Sequence, residues 1–433
     1  QEYNVSAMGS NKERSSDYYL SLGYLNEKGY IKRSDYERIT SRLNVNTKLR
    51  DWLKVGMNIS GSYQTSNELE STNSTAGGYN PFFVSRNFAP IYPVYYYNQN
   101  GQREYDPLTG DYKYDWGNAR SLPSTSIGTR AGLPDANVLG TMNLNRNRSN
   151  GLSFMAIPYL EATLTKGLVF RTTANYNFVG VYENNYRNPI YGDSRLYGGS
   201  VGIGNTFASI YTWNQVLTYD KTFLKDHSIS LMVAHENYAL NSRGMSASRR
   251  GLPVRNIYDL AGAAVAVSST SGTDEDKMES FLSSASYYYK NKYFFNANFR
   301  RDGSSRFSPA NRWGNFWSVG GGYIISEEDF MKNSTSFLKN FNLLKLKSSY
   351  GTQGNNGNNY YGYLGLIAVT LPNGTMPGGL VSQIANPDLK WESQSMFNVG
   401  LDFTYNNRFR GEIAYYSKTN ADQLYASHFT HST

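Results

Sequence analysis

Apolar and polar side chains alternate within Tyr293–Arg301. Phe295, Ala297 and Phe299 fall on odd positions, whereas Asn296, Asn298 and Arg300 fall on even positions. Because successive side chains of a β-strand point to opposite faces, the segment predicts a strand with one apolar and one polar face. The connection before it is short (Lys290–Lys292), whereas the connection after it is long and rich in Gly, Ser and Arg.

The same alternation recurs along the chain, giving about fourteen candidate strands of about ten residues, the length that crosses a bilayer at a tilt. Short turns alternate with long connections, which we expect at approximately 64–151, 182–205, 241–277, 303–312 and 351–390. Long loops on one rim and short turns on the other are typical of outer-membrane barrels. The pattern therefore predicts an all-β protein, an antiparallel up-and-down transmembrane β-barrel with long extracellular loops.

Composition agrees with this interpretation. The 433 residues include 38 Tyr and 21 Phe but only 4 His and no Cys, and no segment has the run of about 18–20 apolar residues that a membrane helix requires. A barrel can read as polar overall because each strand places only every second residue in lipid. The basic residues behind the net charge of +8 are scattered singly, which argues against a nucleic-acid partner.

The chain ends suggest a portion of a larger protein. Gln1 leads directly into a strand-like pattern with no signal peptide, and the last residues show no cap or stop signal. We therefore expect one partial barrel domain over residues 1–433, with a plug domain and C-terminal strands absent from this chain.

The four histidines are the first candidates for catalysis or metal binding. His227, His235, His428 and His431 lack an accompanying nucleophile motif or HExxH, so we predict no catalytic residue and no enzyme. His428 and His431 have a zinc-compatible spacing but no further ligands.

Acidic residues in the loops, and one glycine-rich loop, were considered for other ligands. Asp274–Asp276 and the set Asp106, Asp111 and Asp115 offer oxygen ligands for calcium, but they do not follow EF-hand spacing and are interpreted as solvated acids. Gly351–Gly357 is glycine-rich like a phosphate loop but lacks the Gly-Lys-Ser/Thr that would complete one. We predict no metal site and no cofactor.

A charged cluster follows the strand that ends near Arg301. Two interpretations stay open: a patch that contacts a lid protein, an acidic ligand or lipid head groups, or an intramolecular network that fixes the loop. Its members are Arg300, Arg301, Asp302, Arg306 and Arg312.

Aromatic residues in the long loops are the candidate ligand-binding residues. Sugar rings stack on aromatic faces and pair their hydroxyls with amides, and peptides use the same groups less selectively. The set comprises Phe82, Phe83, Tyr92, Tyr95, Tyr96, Tyr97, Tyr360 and Tyr361. Loop packing is the alternative explanation for each of them.

Several stretches, in order, resemble the SusC/RagA-type TonB-dependent outer-membrane transporters. They cover nearly the whole chain, and the ordered set is more specific than any single motif. They are Tyr18–Glu27, Arg42–Asn46, Trp52–Gly56, Ala89–Val94, Phe299–Phe307, Asn311–Val319, Lys345–Lys347 with Ser348–Gly351, Leu389–Glu392 and Asn398–Asp402.

The resemblance implies a barrel of about 22 strands with a plugged lumen, in the outer membrane of a Gram-negative bacterium. It also implies a TonB-contacting segment outside this chain and a SusD-like surface lipoprotein as a lid. The family imports oligosaccharides or peptides. A passive porin is the alternative, and a surface adhesin or enzyme barrel is less favoured, because nothing else in the sequence supports either.

Overall fold

The computed structural model describes residues 1–13, 15–67, 80–117, 137–371, 374 and 376–425. Its main feature is a fourteen-stranded antiparallel sheet in which each strand pairs with its neighbours in sequence order. The strands of this sheet are β1 (Glu2–Ser10), β2 (Ser16–Lys28), β3 (Asp35–Arg50), β4 (Leu53–Asn67), β7 (Arg146–Thr165), β8 (Leu168–Arg187), β9 (Ser200–Phe223), β10 (His227–Arg250), β11 (Val265–Tyr289), β12 (Tyr293–Ser304), β13 (Trp313–Ile324), β14 (Phe341–Asn355), β17 (Glu392–Tyr405) and β18 (Phe409–Ala421).

Several connections carry small elements of their own. Between β4 and β7 lie α1 (Pro81–Asn87), the short pair β5 (Tyr105–Asp106) and β6 (Asp111–Tyr112), and α2 (Val138–Leu144). Between β14 and β17 lies the hairpin of β15 (Leu366–Thr370) and β16 (Gly378–Gln383), and α3 (Asp329–Lys332) joins β13 to β14. None of the helices among the described residues is long and apolar enough to cross a bilayer.

The predicted all-β, up-and-down antiparallel architecture is confirmed. Every pairing in the large sheet is antiparallel and links strands that are consecutive along the sheet. Within the described residues, β1 and β18 each have a strand neighbour on one side only.

Several strands are longer than the expected ten residues, and this corrects the predicted loop at 241–277. Residues 241–250 and 265–276 pair with each other, with Leu240 opposite Asp276 and Arg250 opposite Val265. These stretches are rich in Ser, Gly and Thr, so they lack the apolar alternation that marks a lipid-facing strand. At about 3.3 Å per residue, the 24 residues of β10 extend about 80 Å, well beyond a hydrocarbon core of about 30 Å.

The turns at one end of the sheet are tight. Five connections there contain two or three residues: 51–52, 166–167, 224–226, 290–292 and 406–408. Lys290 and Asn291 have φ of 52° and 54°, the left-handed conformation that a type I′ hairpin turn requires. The connection between β13 and β14, residues 325–340, is the long exception at this end.

The strand register separates an apolar outer face from a polar inner face. On the outer face, near the tight turns, aromatic rings form a chain: Phe223 to His227 at 5.1 Å, His227 to Tyr289 at 4.6 Å, Tyr289 to Tyr293 at 6.0 Å and Tyr293 to Tyr323 at 4.9 Å between centroids. Toward the other end, exposed Trp213, Phe281, Trp313 and Trp317 form a second band. Two aromatic girdles flanking an apolar band are the arrangement of a membrane barrel.

Candidate functional site

The polar inner face of the sheet forms the wall of a lumen. On β12 the even residues Asn296, Asn298 and Arg300 belong to it, and cross-strand pairing places Ser284 and Ser318 on either side of Asn298. The odd residues Phe295, Ala297 and Phe299, by contrast, belong to the outer face. The period of two therefore assigns each strand residue to lipid or to lumen.

Arg300 is held in a network on the inner wall. Its Nε donates to both carboxylate oxygens of Asp302 at 2.6 and 2.7 Å, and its Nη2 donates to Ser280 Oγ at 3.0 Å. Glu236 lies 3.8 Å from the same guanidinium. Since the Asp302 side chain is 8% exposed, Arg300 serves first as the counter-charge of a buried carboxylate.

Arg306 joins three segments of the chain. Its Nη2 and Nε donate to the two carboxylate oxygens of Asp276 at 2.6 and 3.2 Å, and its Nη1 donates to the carbonyl of Gly357. The guanidinium also lies 4.8 Å from the ring centre of Tyr360. The pair is largely buried, with Arg306 14% and Asp276 6% exposed. This fork fixes the β12–β13 connection and the β14–β17 connection to β11.

The predicted charged cluster is therefore two separate arrangements. Arg300, Asp302 and Arg306 face inward, whereas Arg301 lies on the outer face with its guanidinium 5.0 Å from the Trp313 ring centre. Arg312 contributes its backbone carbonyl, which accepts a hydrogen bond from Trp391 Nε1 at 2.9 Å. For the inward residues the geometry favours the intramolecular interpretation, and a role in ligand binding stays a prediction.

A cavity of about 650 Å³ opens along this wall. Because its arginines are already paired with carboxylates, the groups left to meet a solute are amides, hydroxyls and aromatic rings. They include Tyr238, Asn298, Ser318, Thr352, Gln353 and Trp391. Such a lining suits a neutral polar solute better than an anion.

The predicted loop aromatics do not form one site. Tyr360 and Tyr361 lie beside the Arg306 network, where the Tyr361 hydroxyl accepts a hydrogen bond from Glu275 N at 3.0 Å. The others lie in the β4–β7 connection, with Phe82 and Phe83 on α1. Tyr95 is stacked on Tyr114 at 5.4 Å.

Within that connection the remaining predicted aromatics have different surroundings. Tyr92 packs against Phe88 at 5.4 Å, and Lys113 lies 5.8 Å from the Tyr96 ring. Phe82 and Tyr97 are 43% and 37% exposed, so they offer the most open surface of the predicted residues there.

The sequence interpretation missed a buried aromatic cluster under this connection. Trp116 stacks on Tyr191 at 5.6 Å with ring planes 3° apart, and the Tyr191 hydroxyl donates to Asp106 Oδ2 at 2.5 Å. Burial and this hydrogen bond raise the pKa of Tyr191, and burial is the main cause that raises the pKa of Tyr114 to about 12. Both phenols are therefore neutral donors at physiological pH. Only the spacing of tyrosines and tryptophan in 112–116 hinted at this packing.

The acids considered for calcium act as hydrogen-bond acceptors. Asp111 accepts from the Tyr114 hydroxyl at 2.8 Å and Asp115 from Gly117 N at 2.9 Å, while Asp276 is the partner of Arg306. In the described part of the chain no three His, Cys, Asp or Glu side chains are grouped to hold a metal ion.

Two histidines are described. His227 belongs to the aromatic chain of the outer face. The ring nitrogens of His235 contact Gln215 Oε1 at 2.8 Å and Glu279 Oε1 at 3.1 Å. His428 and His431 lie outside the described residues.

Known proteins resemble the chain over nearly its whole length, although no family model matches it. It is 29% identical to TonB-dependent receptor P39 of Formosa agariphila over 420 residues, which are 95% of this chain and 36% of that protein. It is 26% identical to TonB-dependent receptor SusC of Bacteroides thetaiotaomicron over 446 residues, or 96% of this chain and 41% of that protein. The chain thus spans less than half the length of these curated relatives.

Solved structures show the same fold. A structure of the RagAB peptide transporter is similar over 98% of this chain and 44% of the RagAB chain, with a TM-score of 0.77 and 24% sequence identity. The RagAB peptide importer in the closed-closed state matches with a TM-score of 0.75 and 23% identity.

The comparisons agree with the predicted class and location. The relatives are receptors rather than enzymes by name, as expected. Their fold is that of outer-membrane barrels, which confirms the predicted location in the outer membrane. The resemblance to the SusC/RagA-type TonB-dependent outer-membrane transporters is confirmed, and this chain has the fold of a portion of their barrel.

Proposed function

We propose that this chain is the barrel portion of a TonB-dependent active importer of large nutrients, oligosaccharides or peptides, across the outer membrane. The observation that carries the proposal is the similarity to proteins named TonB-dependent receptors over 95% or more of the chain. A plug, a TonB-contacting segment and further strands belong to the same proposal, since the chain spans only 36% to 41% of those relatives.

The inner wall supports transport of a polar solute. Arg300 and Arg306 are neutralised by carboxylates, and the cavity beside them presents amides and hydroxyls. A solute at this part of the wall exchanges hydrogen bonds with it without meeting an unpaired arginine. Neutral glycans and uncharged peptide segments both satisfy this condition.

The β15–β16 hairpin supports a protein partner at the long-loop end, which we propose is a SusD-like surface lipoprotein. Residues 348–387 contain no Asp, Glu, Lys, Arg or His. The hairpin exposes Val369, Val381 and Ile384 at 80%, 72% and 74%. Large exposed apolar surface is typical of an interface, and the absence of basic residues argues against lipid head groups as the partner.

Growth of a deletion strain on candidate glycans and peptides tests the function. The strain complemented with the full-length gene is expected to take up the nutrient, and removal of TonB is expected to abolish uptake. Co-purification of a lipoprotein with the wild-type protein, and its loss on replacing Val369 and Val381 by Asp, tests the partner. Uptake that persists without TonB would contradict active import and favour a passive porin.

A further inference from the structure

The connection between β13 and β14 stands out at the end of the sheet where other turns are tight. Residues 325–340 fold into a 3-10 helix (Ile325–Glu327), α3 and a second 3-10 helix (Phe337–Asn340). Hairpin closure requires only two or three residues at this end, as the neighbouring turns show. The additional chain is therefore available for a purpose other than reversing direction.

Glu328 fastens this segment to the outer side of the rim. The Tyr293 hydroxyl donates to Glu328 Oε1 at 2.7 Å, and Lys292 Nζ lies 3.3 Å from Oε2. Tyr293 shares the outer face with Phe295 and stacks on Tyr323 within the aromatic girdle. The Tyr293 hydrogen bond, together with Lys292, holds the pKa of Glu328 below its usual range, so the carboxylate that makes the tie stays charged. The segment consequently lies beside the girdle.

The segment has a closed side and an open side. Met331 is 3% exposed and Ser326 is 7% exposed, so these residues pack inward. Phe330 and Phe337 are each 63% exposed. Exposed phenylalanines on a segment that is tied to an aromatic girdle are typical of side chains that insert into a membrane surface.

The charges of the segment are compatible with a position at the lipid–water boundary. Lys332 pairs with Glu327 at 2.6 Å, and Asp329 lies in the first turn of α3. Lys339 is exposed and makes no ion pair with any residue that the structure describes. A lysine in this position extends its ammonium to head groups while its stem stays near apolar surface.

We propose that residues 325–340 form an interfacial membrane anchor, with Phe330 and Phe337 inserted among the acyl chains of the leaflet at the tight-turn end. Tight turns mark the periplasmic side of such barrels, so the ligand is a glycerophospholipid surface. The anchor continues the outer-face girdle away from the strands. It fixes the rotation and depth of this part of the rim in the bilayer.

Spin labelling of the full-length protein tests the proposal, and the absence of cysteine from this chain favours single-site labelling. Variants Phe330→Cys and Phe337→Cys are labelled separately, so that one phenylalanine always remains. Asp51→Cys is the matched control, a charged residue with a fully exposed side chain in a tight turn at the same end. The proteins are placed in nanodiscs of phosphatidylethanolamine and phosphatidylglycerol, and collisions with oxygen and with a water-soluble nickel complex are compared.

The expected result is a severalfold higher oxygen-to-nickel collision ratio at positions 330 and 337 than at 51. Ratios equal to that at 51 would place the segment in water and overturn the proposal. Low collision with both reagents would indicate cover by protein and overturn it as well. Adding Glu328→Ala is expected to lower the ratio at 330, whereas Glu327→Ala is not. The readout is independent of transport, so it stands or fails separately from the proposed function.

Discussion

Single arginines on neighbouring positions of this barrel have unrelated roles. Arg300 and Arg301 are adjacent, yet one neutralises Asp302 on the inner wall and the other stacks on Trp313 on the outer face. Arg306 is the most constrained of the group, because a buried carboxylate, a carbonyl and an aromatic ring all surround its guanidinium. The energetic weight of each arginine therefore depends on whether a buried partner requires it.

Replacing Arg306 by alanine is expected to loosen the β14–β17 connection. The change leaves the Asp276 carboxylate buried without its partner, and breaking a buried pair costs about 3–5 kcal/mol. Hydrogen exchange of residues 356–371 and protease cleavage within 356–391 are the measurements. Arg301→Ala is the control, with an expected cost of about 1 kcal/mol or less, because it loses only an exposed contact with a ring. Equal protection in the two variants would show that the Arg306 fork is not a structural tie.

At the scale of elements, the decisive feature is that strands β9 to β11 continue far past the membrane. β10 pairs with β9 on one side and with β11 on the other over its whole length. The upper part of β11 pairs only with β10, because β12 ends at Ser304, opposite Met278. β8 pairs with β9 as far as Arg187 opposite Ser200, so the extension includes β8 and β9 beside β10, and β11 forms its edge.

Proline substitution distinguishes this sheet from a flexible loop. Ser246→Pro in β10 removes a ladder hydrogen bond between two strands and is expected to destabilise the extension by about 1–3 kcal/mol. Ser271→Pro in β11 is the matched control. The backbone groups of residues 273, 275 and 277 point away from β10 to the open edge, and residue 271, which is also odd-numbered, is expected to do the same. A proline there removes no hydrogen bond between strands. Hydrogen exchange over 240–250 measures the difference. Similar exchange in both variants would indicate that 241–277 is loop after all.

At the scale of the whole molecule, the side-chain period of two decides which residues face lipid and which line the lumen. Each strand supplies alternate residues to the two faces, and the girdles limit how far the apolar band extends. The long connections and strand extensions gather at one end, where the charged network and the cavity also lie. At the opposite end the connections have two to five residues, apart from the segment 325–340.

Adjacent residues on β12 provide a test of this face assignment. Ala297→Arg places a charge in the lipid-facing band and is expected to destabilise the barrel by about 2–4 kcal/mol. Asn298→Arg directs the same side chain into the lumen and is expected to have a much smaller effect. Unfolding of the full-length protein from bilayers in denaturant measures both. A larger loss of stability for Asn298→Arg than for Ala297→Arg would reverse the assignment of the two faces.

The sequence by itself determined the strands that cross the bilayer, their order and the rhythm of short and long connections. It could do so because a lipid-facing strand must alternate apolar with polar side chains, and that alternation is local. The strand extensions at 241–250 and 265–277 were not predictable in this way, because both of their faces meet water and no apolar period marks them.

The partners of the arginines also depended on the tertiary structure. In the sequence Asp276 is only one of several acids in a predicted loop. Its partner Arg306 lies 30 residues further along the chain, and only the strand register brings the two side chains together. The sequence likewise placed the loop aromatics in one set, whereas folding divides them between two connections and buries a cluster around Trp116. Local periodicity fixes which face a residue occupies, but long-range contacts decide what it touches there.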